Sequence, residues 1–187
     1  MSDEQQITLP VSPRDHIQGL LSAEITLVQY GDYACLHSQQ AYSGVKNNME
    51  RFGPHLRFAF RHFPITQIHP DAQRAAEAAE SAGVQGKFWE MHDSLFAHQE
   101  ALESGYLVEY ADALHLDTTQ FLRDMAQHTF AKHVAEDYSS GMQSGVNNTP
   151  TFFINGVLHD DLWDIEVLLQ AVSKAADAQK QLTLQGP

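Results

Sequence analysis

Cys35 is the only cysteine among 187 residues, and it stands in the stretch GDYACLHSQQAY with His37 and Ser38 close behind it. A thiolate attacks disulfides, and a second thiol three residues later commonly lets the first one leave by closing an internal disulfide. Here a hydroxyl, Ser38, holds that second place. With one cysteine, any disulfide must join Cys35 to another molecule. The chemistry open to it is a monothiol cycle: attack, a mixed disulfide, and release by an external thiol. That cycle requires a low-pKa cysteine. Three features of the stretch favour one: the unpaired N–H groups and dipole of a helix start, a positive charge or hydrogen bond from His37, and an O–H donated to sulfur by Ser38. Cysteines so placed ionise at roughly 3.5–7.5, against about 8.5 for the free residue.

The elements that must position this stretch are legible around it. ITLVQY, residues 25–30, is β-branched and apolar and predicts a buried strand. Behind the cysteine, Ala41, Val45 and Met49 recur at helical spacing until Gly53-Pro54 stops the pattern. Cys35 therefore belongs to a strand-to-helix turn. LRFAFRHF, residues 56–63, predicts a second strand ended by Pro64. Between about 66 and 145 the signal is helical: Ala72, Ala75, Ala76 and Ala79 share a face, as do Phe88, Met91, Leu95 and Phe96, then Leu107, Tyr110, Ala111 and Leu114. Asp117 and Gln120 predict a capping box, and Phe130, Val134, Tyr138 and Met142 the apolar stripe of the next helix. TFFINGVLH returns to strands around an Asn-Gly hairpin turn. Asp161 is read as the N-cap of a last helix carrying Ile165, Leu168, Leu169, Val172 and Ala176 inward. The early stretch ITLPVSPRDHIQGLLSAE, with two prolines and a glycine, reads as an irregular arm. The order strand, helix, strand, helical block, hairpin, helix predicts an α/β sheet with an inserted helical subdomain.

Composition narrows the partners. A formal charge of −13, from 24 acidic against 11 basic side chains, repels phosphate backbones and anionic lipid heads, so nucleic acid and membrane are not expected as partners. The acidic N-terminus lacks the features of a secretory signal, which predicts a cytoplasmic protein, or a periplasmic one if a leader has been removed. Eleven histidines raise a metal reading, but His92 and His98, or His128 and His133, are spaced so that neither pair shares a helical face, and no H-E-x-x-H occurs. No metal ligands are assigned.

Taken together, TLVQYGDYAC, FRHFP, HPDAQRAAEAAE, GKFWEMHDSLFAHQ and GVNNTPTFFINGV resemble the thioredoxin fold in its DsbA-like branch, a family of thiol–disulfide oxidoreductases. The resemblance spans nearly the whole chain as one domain, residues 1–187. It implies a thioredoxin-fold part at about 22–65 and 146–178 and a helical subdomain at about 66–145. It also implies that Pro150 follows a cis bond, that the Thr149 backbone lies beside the sulfur, and that Leu36, Thr149 and Pro150 meet an extended substrate strand. Protein or small-molecule thiols and disulfides are the implied partners, with no cofactor beyond glutathione as a co-substrate. The chain departs from the family twice: Ser38 replaces the second cysteine, and Gln29 stands where a buried acid usually serves that cysteine. Two other functions fit the same segments. One is a glutathione-dependent transferase or isomerase like the kappa class, in which a hydroxyl usually holds the place of Cys35. The other is a non-catalytic thioredoxin-like binding module.

Overall fold

Along Ile25–Gly31, strand β2, successive side chains enter opposite layers. Ile25 and Leu27 join a core with Leu56, Phe58 and Phe60 of strand β3 (Leu56–His62), while Val28 and Tyr30 join Ala59, Phe63 and Phe153 on the other face. Both faces being covered explains why β2 reads as a continuous apolar run. The computed structural model describes residues 5–159 and 165–184. The Asp161 cap lies outside them.

β2 and β3 run parallel, paired Ile25 with Leu56 through Gly31 with His62. The crossover between them is helix α1, Leu36–Phe52. Strand β4 (Thr151–Ile154) pairs antiparallel to β2, and β5 (Val157–His159) pairs with β4. Asn155 and Gly156 in the turn both have positive φ, the conformation a two-residue hairpin loop demands. Helix α7 (Ile165–Leu184) buries Leu168, Val172 and Ala176 beside α1 and β2. Between β3 and β4 come α2 (Ala72–Gly83), α3 (Phe88–Ala97), α4 (Ser104–Ala113), α5 (Thr118–Gln127) and α6 (Ala131–Gln143). The alanine face of α2 is wholly buried. Asp117 caps α5 by accepting from Gln120 N–H, but its own N–H goes to the Gln85 side chain.

Two expectations change. The arm read as irregular contains a strand, β1 (His16–Gln18), which pairs antiparallel with β3, so the sheet order is β1-β3-β2-β4-β5 and begins ahead of residue 22. Three residues are too few for a periodic signal. The arm is held by Arg61, a fully buried guanidinium that donates to Asp15, to the Leu9 and Pro10 carbonyls and to the Tyr30 hydroxyl. On α6, Met142 is exposed and the buried stripe is Val134, Asp137, Ser140 and Gly141. That stripe is half polar because Asp137 accepts from Arg14 and from His62 N–H. Gly141 lets the helix lie against the sheet, since a Cβ there would stand within 3.0 Å of Phe63 and Tyr30.

A buried ionic cluster joins sheet and helices: His16 and His62 bond the Glu80 carboxylate of α2 at 3.0 and 2.7 Å. Burial alone would raise the Glu80 pKa, but these two bonds hold it well below the usual carboxylate range. His92 behaves oppositely. Burial, reinforced by the charges of His62, His16 and Lys46, pushes its pKa well below 6.5 and keeps it neutral. The unfolded chain therefore takes up a proton below about pH 6.5 that the native state refuses, and stability is lost as the pH falls. Urea unfolding at pH 7.5 and 5.5 should show the wild type losing about 1.4 kcal/mol more than His92→Phe over that interval. Equal losses would contradict a buried neutral imidazole.

Candidate active site

The turn between β2 and α1 is built by side chains that satisfy its backbone. Asp32, buried at the end of β2, accepts from Ala34 N–H (2.8 Å), from Ile65 N–H (2.8 Å) and from His69 Nδ1 (2.9 Å). The first is a local bond that folds an aspartate over its own turn. The other two tie the turn to the segment after β3. Tyr33 points inward, its hydroxyl 2.7 Å from His92 Nδ1, and burial raises its pKa well above the ordinary phenol. Gln99, just past α3, donates its amide to the carbonyls of Tyr33 (2.6 Å) and Cys35 (3.0 Å). The helical insert thus grips the backbone on either side of Ala34.

Cys35 is the N-cap residue of α1, in extended conformation, with only 9% of its surface exposed. The thiol donates to the carbonyl of Thr149 across 3.2 Å. The sulfur therefore stands at the start of α1 with the Thr149 carbonyl as its acceptor. The Thr149–Pro150 bond is cis, Pro150 is buried, and Thr149 Oγ1 is buried with no partner among the described residues. Cys35 and the Thr149-Pro150 pair, far apart in the chain, therefore meet at one place.

The other sequence-predicted residues divide. Leu36 (59% exposed) and His37 face outward at the helix start. Ser38 is fully buried, and the partner the structure gives its hydroxyl is Asp32 N–H at 3.3 Å, not the sulfur. Gln29, also fully buried, donates Nε2 to the Ser38 carbonyl at 3.1 Å, while its Oε1 has no partner among the described residues. Among the described residues no histidine, cysteine and carboxylate cluster could hold a metal ion. Sequence reasoning missed Gln99 and His69. No local pattern marks Gln99, whose partners lie over sixty positions away. His69 stands before Pro70 and was absorbed into a helix start.

Residues 11–174 match the family model described as Thioredoxin. The chain belongs to that family. The structure aligns over 89% of its length with a thioredoxin-like oxidoreductase from Silicibacter pomeroyi, covering 94% of that chain at 26% identity and a TM-score of 0.78. It shares its fold with BdbD of Bacillus subtilis (TM-score 0.80, 21% identity, 93% of this chain and 97% of that one). The same holds for alpha-DsbA1 of Wolbachia pipientis (0.80, 18%, 95% and 98%). The architecture is the thioredoxin fold of DsbA-type oxidoreductases with a single cysteine. Among curated proteins, 90% of the chain is 45% identical to part of Na(+)/H(+) antiporter NhaA 1 of Salinispora arenicola, and 42% identical to part of NhaA 3 of Salinispora tropica. The chain spans only about a quarter (26%) of those proteins.

The Gln99 grip predicts a stability effect. Gln99→Leu leaves two carbonyls of a tightly packed turn without donors, and urea unfolding should show a loss of about 1–3 kcal/mol. Gln99→Glu should be at least as costly, because a carboxylate would face both oxygens. Unchanged stability in both variants would mean that the turn stands without the insert.

Proposed function

We propose that this chain is a thiol–disulfide oxidoreductase or isomerase that works through Cys35 alone. The observation that carries the reading is the placement of the Cys35 sulfur at the start of α1, facing the Thr149 carbonyl beside Pro150. Cys35, at the start of α1, is the nucleophile of the cycle. It attacks a disulfide of a protein or of glutathione; one sulfur stays on Cys35 as a mixed disulfide and the other departs as thiolate. Ser38 has no thiol with which to displace it, so an external thiol completes the cycle. The backbone of Thr149 pairs with an extended substrate, Leu36 offers it an apolar contact, and His37 assists the thiolate by charge. Glutathione serves as co-substrate, and the site uses no other cofactor. We place the reaction in the cytoplasm, where glutathione kept reduced can supply the resolving thiol.

Incubation with oxidised glutathione followed by intact mass tests this. One glutathione should add to the wild type within minutes and none to Cys35→Ser, and added reductant should remove it. Absence of an adduct, or saturable binding of reduced glutathione without one, would sink the reading; the latter would favour the transferase.

Gln29 and Ser38 form a matched pair in this scheme. A second cysteine at 38 needs a nearby group to carry its proton, and an amide cannot. Ser38→Cys alone should therefore give a poor dithiol oxidase, and adding Gln29→Glu should raise its rate about tenfold or more. Equal rates would show that Gln29 is incidental. A second reading concerns partners: since relatives carrying this domain are named antiporters, we propose that the domain also works next to such a transporter, with the redox state of Cys35 reporting to it.

A further inference from the structure

The proposed cycle leaves one step without a catalyst. An external thiol must lose its proton before it can attack, and nothing so far described takes it. Beside the Cys35 turn lies a cleft of about 140 Å³, lined by Ala34, His69 and Gln99 among others. Ala34 adjoins Cys35, and Gln99 is bonded to the Cys35 carbonyl, so the cleft borders the turn that carries the nucleophile, although Cys35 itself does not line it. His69 Nδ1 lies 2.9 Å from Asp32 Oδ2, on a carboxyl that already accepts two backbone N–H groups. A carboxylate in that setting only accepts, so Nδ1 donates to it, and the neutral form of the imidazole has its lone pair on Nε2. Nε2 has no partner among the described residues, and the side chain is 24% exposed. This is the base-and-orienter arrangement of acid–base sites, with the orienter buried and the base on a cleft wall.

We propose that His69, oriented by Asp32, is the general base that deprotonates the external thiol resolving the Cys35 mixed disulfide; this rests on the monothiol reading above. The thiol's proton passes to His69 Nε2 and the imidazolium is held by Asp32. The thiolate sulfur bonds to the substrate sulfur, the bond between that sulfur and Cys35 Sγ breaks, and its electron pair leaves on Cys35 as thiolate. The incoming thiol is oxidised into a disulfide with the substrate, Cys35 is reduced, and His69 returns its proton to solvent. The groups facing His69 are Asp32 from the turn and, around the cleft, Asp71, Glu100 and Glu103, with no lysine or arginine among the described lining residues. Such a rim selects cationic or neutral thiols over anionic ones.

The test installs a methyl or ethyl disulfide on Cys35 with an alkyl thiosulfonate, so it runs whether or not Cys35 is itself acidic. Release by 2-mercaptoethanol is followed by intact mass across pH. His69→Asn keeps a donor for Asp32 where Nδ1 was and removes Nε2. At pH 6.5 it should slow release about a hundredfold, and the gap should close at pH values where the thiol is already ionised. Rapid alkylation of Cys35 itself should be unchanged. Equal rates at pH 6.5, or the same deficit at every pH, would overturn the assignment. A solvent deuterium isotope effect on wild-type release provides a check that needs no variant, and its absence at pH 6.5 would count against a proton transfer. At that pH cysteamine should outpace 3-mercaptopropionate once each is normalised to its rate on a small free disulfide, and parity would remove the charge selection.

Discussion

The buried carboxylate of Asp32 is the point on which the site depends. Its three bonds, to Ala34, Ile65 and His69, fix the turn that carries Cys35 and fasten that turn to the chain emerging from β3. Its own N–H is taken by Ser38 from inside α1. A turn without these partners would leave several partly buried backbone groups unpaired, at a cost of up to about 1–3 kcal/mol each. The sulfur's position opposite Thr149 is therefore inherited from a polar scaffold rather than from the apolar core beneath it.

That scaffold explains how the site differs from a dithiol one without losing its shape. Ser38 keeps a hydrogen bond to the turn, and Gln29 keeps one to the helix backbone at Ser38. Both residues serve as structure where a cysteine and an acid would serve as chemistry. The Oε1 of Gln29, without a partner among the described residues, is what remains of the difference. The insert contributes as a second anchor: Gln99 donates to the Tyr33 and Cys35 carbonyls of the same turn, so the helical block helps to hold the backbone that carries the thiol.

Much of this was legible in the residues. Apolar β-branched runs mark β2 and β3, Asn-Gly marks the hairpin, and alanine spacing marks α2, because in each the burying face repeats with the period of its own backbone. The short strand β1 was not legible, since it exists only by pairing with β3. The inward face of α6 was legible at Val134 and Tyr138 but not at Asp137, which is buried by long-range partners that no local pattern shows. The same reason hid His69 and Gln99. Polar side chains that act on distant backbone look, in sequence, like ordinary surface residues.

The measurement closest to the central claim is the rate of Cys35 alkylation as a function of pH, compared with the same chain unfolded in urea. The account predicts a midpoint in the folded protein below that of the unfolded chain, with a finite rate that persists at pH 6. A folded midpoint at or above the unfolded one would mean that the Thr149 carbonyl and burial outweigh the helix start, and that Cys35 is not a nucleophile prepared by this fold.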